Sequence, residues 1–262
     1  MILLVDLGNT NISVGVYQDR KPIYFFKTSS DKLKSEIEYA ELFDQFLTYH
    51  KVDKEQIEGA ILSSVVPQLT RKISDAVSEL IHKECLIISN KLKSGLRISI
   101  DNPNELGADL ICDAVAAVNN YNQNCLIVDV GTATKFLVVT KDKVFKGCVI
   151  APGMQISAQS LWSSASQLSD VELSAPEKIV GKNSKDSMSS GIVYGHLAMI
   201  VQLTKSIEEE TKMTFKKIVT GGSASIIKDV LSKDYSYEPQ LIFEGLYDIY
   251  EKNKGIKVYE KK

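Results

Sequence analysis

A six-residue string that occurs twice constrains the fold of this chain more than any other feature of its sequence. Leu3–Gly8 (LLVDLG) returns almost unchanged as Leu126–Gly131 (LIVDVG). Each copy is an apolar run ending in Asp and Gly, and each is followed by small hydroxyl residues and a second β-rich run, at Ile12–Tyr17 and Lys135–Thr140. The same strand-turn-strand unit therefore begins both halves of the chain.

Strand-like and helix-period segments alternate after each copy of the repeat, which predicts an α/β fold. The predicted helices cover about residues 31–49, 67–82, 106–121 and 187–211, with another from Pro152, and further strands cover 22–27, 59–64, 85–89, 143–150 and 217–220. Because the helix over 106–121 connects the halves, we expect two domains, 1–122 and 123–262.

The two Asp-Gly turns have the composition of phosphate-binding loops. Asp6–Thr10 (DLGNT) and Asp129–Thr134 (DVGTAT) each end a buried strand. The backbone N–H groups of a tight turn approach phosphate oxygens where no Cβ intervenes, and a carboxylate can hold a hydrated divalent metal. A single string of this kind is equally explained as an Asp-Gly turn that binds no ligand. Its repetition at matching strand ends favours the phosphate reading.

A third glycine loop, Thr220–Ala224 (TGGSA), lies between a strand and a helix and is suited to pass close to a nucleotide base or ribose. Taken alone it is a turn with a helix cap. The chain contains no Walker A string, so any nucleotide site must be of another type.

Four longer strings resemble the type III pantothenate kinases, which belong to the actin, sugar-kinase and heat-shock ATPase superfamily. They are DLGNTNISVGVY (Asp6–Tyr17), PNELGADLICDAVAA (Pro103–Ala117), VDVGTATKF (Val128–Phe136) and GKNSKDSMSSGIVYG (Gly181–Gly195). They span most of the chain in the order of the family, and their combination is far more specific than any one of them. The resemblance implies an α/β fold of two ribonuclease-H-like, actin-like halves with mixed central sheets that flank a nucleotide cleft.

The resemblance also implies a role for each matching residue. Asp109 is implied as the general base, Asp129 as the ligand of a monovalent cation (K⁺ or NH₄⁺), and Asp6 as the ligand of the Mg²⁺ that accompanies ATP. The implied ATP-binding residues are Asp6, Leu7, Gly8, Asn9, Thr10, Asn11, Ile12, Ser13 and Thr132. The implied substrate-binding residues are Ile100, Gly107, Ala108, Asp109, Leu110 and Ser184.

The activity implied by the resemblance is ATP-dependent phosphorylation of pantothenate to 4'-phosphopantothenate, the first step of coenzyme A biosynthesis. A homodimer is implied, with the active site near the interface and reached by the partner's Ser184. Lys plus Arg (31) nearly balances Asp plus Glu (33), which disfavours nucleic-acid binding. Because no apolar stretch has the length of a membrane span, we expect a cytoplasmic protein without a membrane partner.

The chain departs from the family around the acceptor substrate. Gly107–Leu110 (GADL) stands where the family has G-x-D-R, so the Arg that would bind the pantothenate carboxylate is missing. Ile100 replaces a common Tyr, while Lys135 and Leu137 replace residues that are usually Thr and Asp. An unpaired substrate carboxylate weakens binding strongly. Arg97 or Lys135 is the hypothetical replacement.

Two other functions stay open at this stage. One is an ATP-binding regulator or sensor with impaired catalysis, and the other is a kinase of another small hydroxylated acceptor. Asp109 by itself has an ordinary reading as a helix-start carboxylate that the helix dipole favours. Asp113, four residues later, either raises the proton affinity of Asp109 as a like charge or belongs to a solvated helix face.

The remaining chemically distinctive residues are predicted to be structural. The cysteines lie singly among apolar neighbours, and we expect buried free thiols at Cys85, Cys112, Cys125 and Cys148. We expect surface or packing roles for His50, His82 and His196. Gly191 and Gly195, one helical turn apart, permit a close helix contact that is either internal or at a dimer interface.

Overall fold

The computed structural model describes residues 1–89, 92–164 and 172–255, which form two compact units. The first unit comprises Met1–Leu96, Asp101–Ala116 and the segment from Leu241, and the second comprises Arg97–Ile100 and Ala117–Gln240. Each unit is built around its own mixed sheet.

The first unit contains a five-stranded sheet. Its strands are β1 (Ile2–Leu7), β2 (Asn11–Gln18), β3 (Lys21–Ser29), β4 (Gly59–Ser64) and β5 (Cys85–Ile87). Strands β1 to β3 form an antiparallel meander, whereas β4 pairs parallel with β1 and β5 parallel with β4, giving the order β3-β2-β1-β4-β5. The helices are α1 (Glu36–Tyr49), α2 (Pro67–Ile81), the start of α3 (Ala108–Tyr121), and α6 (Leu241–Asn253).

The two faces of this sheet have different partners. Leu3, Val5 and Leu7 of β1 belong to the core cluster that α1 and α2 cover. Since side chains alternate along a strand, Asp6 points to the opposite face. On that face α6 lies close to α3, because a Cβ at Gly245 would meet the carbonyl group of Cys112. The carboxylate of the first turn therefore lies on the same face as α3.

The second unit repeats this topology with one additional strand. Its strands are β6 (Arg97–Ile98), β7 (Cys125–Val130), β8 (Ala133–Val139), β9 (Val144–Pro152), β10 (Lys216–Thr220) and β11 (Tyr235–Tyr237). The order is β11-β10-β7-β8-β9-β6, in which β7 to β11 correspond to β1 to β5 and β6 is added at the edge. Helices α4 (Met154–Ser164) and α5 (Ser184–Thr211) cover one face. The predicted repeat and the α/β class are confirmed.

Several elements differ from the sequence-based expectations. Helix α1 begins at Glu36 rather than near residue 31, because Ser35 and Glu38 form a capping box. Helix α6 was not predicted, and it packs in the first unit although the sequence-based division groups 123–262 together.

The expectation of four buried thiols is wrong for Cys148, which is exposed. It lies in the middle of β9, beyond Val144 and Phe145, the two residues of that strand with which β6 pairs. The other three cysteines are buried, as predicted. No helix in the described part of the chain combines the length and apolar character needed to cross a membrane.

Candidate active site

The first Asp-Gly turn is a tight loop with an accessible tip. The Gly8 amide donates to the Asn11 carbonyl at 2.9 Å, and the Ser30 hydroxyl donates to the Gly8 carbonyl at 2.6 Å. Asn9 and Thr10 are exposed at the tip, whereas Leu7 and Ile12 are fully buried. Leu7 and Ile12 can therefore offer only backbone groups to a phosphate.

Asp6 occupies a polar position at the carboxyl end of β1. Its register partners are Ser13 on β2 and Ser63 on β4, so hydroxyl-bearing residues flank it on both sides. The Asp6 side chain is partly exposed, while Ser63 is buried. A carboxylate in this position is accessible and has polar rather than apolar neighbours along the sheet.

The start of α3 shapes the position of Asp109. Asn102 caps a short 3₁₀ turn over Pro103–Glu105, and α3 follows from Ala108. The Asp109 carboxylate accepts a hydrogen bond from the Leu110 amide at 2.9 Å. A Cβ at Gly107 would meet the same carboxylate oxygen. Gly107 is therefore needed because it leaves room for the Asp109 side chain.

The buried thiol of Cys112 is affected by the charges of both Asp6 and Asp109. Burial raises the pKa of Cys112 well above its usual value, and the charges of Asp113, Asp6 and Asp109 raise this pKa further. The candidate base and the carboxylate of the phosphate turn thus lie near one thiol. Asp113 is only 3% exposed, so the prediction of a solvated helix face is wrong for this residue.

The second Asp-Gly turn is supported by two glycine segments. The Gly131 amide donates to the Ala133 carbonyl at 3.1 Å, and the Gly153 amide donates to the Thr132 carbonyl at 3.0 Å. The Ser223 amide donates to the Val130 carbonyl at 2.9 Å, which attaches the third glycine loop to this turn. The Thr132 side chain is exposed and available to a ligand.

Gly221 is required by its geometry at the second turn. Its φ is +96°, and a Cβ there would meet the Asp129 carboxylate and lie 2.6 Å from the Val130 amide nitrogen. Only glycine combines this backbone conformation with so close an approach. The third glycine loop therefore shapes the surroundings of Asp129.

Asp129 already has a cationic partner. Lys135 is its register partner on β8, and the Lys135 Nζ lies 3.0 Å from the Asp129 Oδ2. Within the described ranges, no group of three His, Cys, Asp or Glu residues is placed to hold a metal ion. Because the Lys135 ammonium already neutralises the Asp129 carboxylate, this pair does not fit the additional monovalent cation that the resemblance implies.

Comparison with known proteins decides the family. A family model for type III pantothenate kinase matches residues 2–206. The chain belongs to the type III pantothenate kinase family. The predicted relationship is confirmed, and as a pantothenate kinase the protein is an ATP-using phosphotransferase.

Solved structures of low sequence identity share the fold of this pantothenate kinase. A conserved Campylobacter jejuni protein named for the Baf family of transcriptional activators matches with a TM-score of 0.58 at 20% identity, over 97% of this chain and 100% of that one. A candidate 2-dehydro-3-deoxygalactonokinase from Sinorhizobium meliloti matches with a TM-score of 0.60 at 9% identity, over 100% of both chains. MreB 5 of Spiroplasma citri bound to AMPPNP matches with a TM-score of 0.52 at 12% identity, over 96% of both chains. These likenesses confirm the predicted actin-like and sugar-kinase fold.

The predicted acceptor residues of this pantothenate kinase are distributed over both units. Gly107, Ala108, Asp109 and Leu110 lie together at the start of α3, whereas Ile100 and Ser184 belong to the second unit. Leu110, which replaces the family Arg, is only 6% exposed and packs as a core residue. Ile100 is partly buried, and Ser184 is exposed at the first position of α5.

One polar contact of the pantothenate kinase was missed at the sequence level. His196 of α5 is 7% exposed, and its Nε2 lies 2.7 Å from the hydroxyl of Thr134 in the second turn. The expectation of a surface or packing role is therefore incomplete, because His196 also anchors this turn. The two residues are 62 positions apart, so no local pattern could have linked them.

Proposed function

We propose that this protein transfers the γ-phosphate of ATP to the primary hydroxyl of pantothenate, forming 4'-phosphopantothenate and ADP in the first step of coenzyme A biosynthesis. The single observation that carries the proposal is geometric: Asp6 points to the face of the first sheet on which α3 lies, and Asp109 is in the first turn of α3. A candidate base and a candidate phosphate-turn carboxylate are thereby available in one region of one unit. Membership of the family supports pantothenate as the acceptor.

In the chemical step, Asp109 would act as the general base on the acceptor substrate. Its carboxylate accepts the proton of the attacking hydroxyl as the new O–P bond forms and the bond between the γ-phosphorus and ADP breaks. Asp109 lies in the first turn of α3 and is partly exposed, so a substrate hydroxyl can reach its carboxylate. Asp109 therefore suits the proton-accepting role.

Each of the two turns, taken by itself, carries groups that would contact a phosphate of ATP. Exposed Asn9 and Thr10 offer donors from the first turn, and exposed Thr132 offers a hydroxyl from the second. Asp6 would hold the Mg²⁺, since carboxylate oxygens and water are the ligands that this ion prefers. Magnesium supplies charge neutralisation on the phosphates when it is bound.

A homodimer is part of this proposal. Gly191 and Gly195 lie on an exposed face of α5, and a Cβ at either position would meet no atom of the described residues within 4 Å. Within that part of the chain, neither glycine makes a close internal helix contact. A second copy of the chain could approach this face closely because neither glycine has a Cβ. The cytoplasmic location stays a prediction.

Product analysis tests the proposal. Purified protein is mixed with ATP and Mg²⁺, with and without pantothenate, and ADP and phosphorylated product are followed by coupled assay and mass spectrometry. We expect ADP release that depends on pantothenate, with stoichiometric 4'-phosphopantothenate. ADP without an acceptor would instead indicate an ATPase.

The same assay separates the two other candidate functions. Because Leu110 leaves the acceptor carboxylate without the family Arg, a panel of small hydroxylated acceptors is run beside pantothenate. Turnover with a panel member and none with pantothenate would identify a kinase of another acceptor. ATP binding without turnover of any acceptor would identify a regulator or sensor.

A further inference from the structure

Asp129 and Lys135 form a directly opposed pair in the second unit. They are register partners on antiparallel strands β7 and β8. Their neighbours Val128, Val130 and Phe136 belong to the core cluster under α4 and α5, so Asp129 and Lys135 point to the other face of the sheet. The antiparallel register therefore directs the ammonium of Lys135 towards the carboxylate.

The pair is short and largely shielded from water. Lys135 Nζ lies 3.0 Å from Asp129 Oδ2, and the two side chains are 20% and 14% exposed. Shielding strengthens the attraction between opposite charges relative to an exposed pair. The Lys135 ammonium is therefore held at the carboxylate rather than extended into solvent.

The corresponding position of the first unit carries no charge. Ser13 is the β2 register partner of Asp6, as Lys135 is the β8 partner of Asp129. The lysine is thus a specific difference between two otherwise equivalent turns.

An ammonium on a side chain has the same charge as K⁺ and is chemically a substituted NH₄⁺. Because it is tethered beside Asp129, it reaches the carboxylate at a high effective concentration without being taken from solution. A second monovalent cation on Asp129 would be repelled by this charge. The position that the resemblance gives to K⁺ or NH₄⁺ is therefore already supplied with a cation.

We propose that the Lys135 ammonium replaces the dissociable monovalent cation at Asp129, so that this kinase needs neither K⁺ nor NH₄⁺ for ATP binding or turnover. This inference rests on the proposed function only where it concerns turnover, and both readouts of its test are independent of turnover. It also excludes Lys135 as the group that binds the pantothenate carboxylate in place of the Arg replaced by Leu110, because the Lys135 ammonium is already paired with Asp129.

Exchange of the lysine tests the inference. Wild type, Lys135→Thr and Lys135→Ser are compared in KCl, NH₄Cl and tetramethylammonium chloride at equal ionic strength, because tetramethylammonium is too large to replace K⁺. Ser is included because it occupies the equivalent position in the first unit. Lys146→Thr on exposed β9 is the matched control.

Two readouts are used, thermal melting without nucleotide and affinity for MgATP by calorimetry. For wild type and Lys146→Thr we expect melting temperatures within about 1 °C and ATP affinities within about twofold across the three salts. For Lys135→Thr and Lys135→Ser we expect the melting temperature to be about 3 °C higher in KCl or NH₄Cl than in tetramethylammonium chloride. The affinity of these variants for MgATP should be about tenfold higher in the same two salts.

The melting readout keeps this inference separate from the proposed function. If no acceptor is phosphorylated but the Lys135 variants alone gain K⁺-dependent melting, the kinase proposal fails and the tethered cation stands. A wild-type protein that is stabilised by K⁺, or folded Lys135 variants that ignore K⁺ in both readouts, would overturn it.

Discussion

The hydroxyl of Thr134 lies 2.7 Å from the Nε2 of His196, and both residues are buried. Burial lowers the pKa of His196 below its usual value. Because the unfolded chain then binds the proton more readily, the contribution of His196 to stability is present above about pH 6.5 and is lost as the pH falls through the folded-state pKa. We expect His196→Gln to flatten this acid-side loss, measured by urea unfolding between pH 7.5 and about pH 5.

The control for this prediction is His82→Asn, because His82 is exposed and has a φ of +52° that Asn tolerates. The free energy of unfolding of His82→Asn should depend on pH in the same way as that of the wild type. An unchanged slope for His196→Gln would show that other groups set the acid-side stability.

Gly221→Ala should distort the second turn. The new Cβ would meet the Asp129 carboxylate and lie 2.6 Å from the Val130 amide, on a backbone whose φ is +96°. We expect a loss of about 2–3 kcal/mol in the free energy of unfolding. Gly147→Ala is the control, since Gly147 also has a positive φ, +149°, but no atom within 4 Å of its Cβ position. Equal losses for the two variants would show that backbone strain, rather than the contact with Asp129, is responsible.

Asp109→Asn should abolish most turnover while leaving ATP bound. Removal of the general base is expected to lower kcat by about 10²- to 10⁴-fold. The affinity for MgATP, measured by calorimetry, should stay within about threefold, because the phosphate turns are unchanged. Asp101→Asn, at an exposed position before α3, is the control and should keep wild-type kcat. A fall of less than about threefold for Asp109→Asn would remove Asp109 from the chemical step.

Arg97 is the remaining arginine candidate for the acceptor carboxylate. It is exposed at the start of β6, and Leu110 cannot provide a charge. We expect Arg97→Ala to raise the KM for pantothenate by at least about tenfold, with a smaller effect on kcat. Arg71→Ala serves as the control, because Arg71 is an exposed residue of α2 that pairs with Asp75 in the next turn. An unchanged KM for Arg97→Ala would exclude this role.

Large side chains on the exposed glycine face of α5 should prevent dimer formation. Gly191→Leu and Gly195→Leu each add volume where a Cβ meets no atom of residues 1–89, 92–164 or 172–255 within 4 Å. We therefore expect folded variants, by circular dichroism, with a mass of one chain in light scattering. Val201→Leu, an exposed position further along α5, is the volume control. Dimeric glycine variants, or a monomeric wild type, would contradict the prediction.

The sequence by itself determined the repeat, the fold class and the family. LLVDLG and LIVDVG are local strings whose strand and turn chemistry does not depend on distant residues, so β1 with its turn and β7 with its turn could be predicted. The capping box at Ser35 was equally local and readable, and it explains why α1 begins at Glu36. The placement of Asp109 at the start of α3 followed from the same kind of signal.

Only the tertiary structure decided which side chains meet. The strand register places Lys135 on Asp129, the packing of α5 brings His196 to Thr134, and the third glycine loop brings Gly221 against the second turn. Helix α6 joins the first unit from the far end of the chain. These contacts link residues through register and packing geometry, which are properties of the assembled sheets and helices. Sequence patterns cannot predict these contacts, because the side chains involved are far apart in sequence or belong to no recognisable local motif.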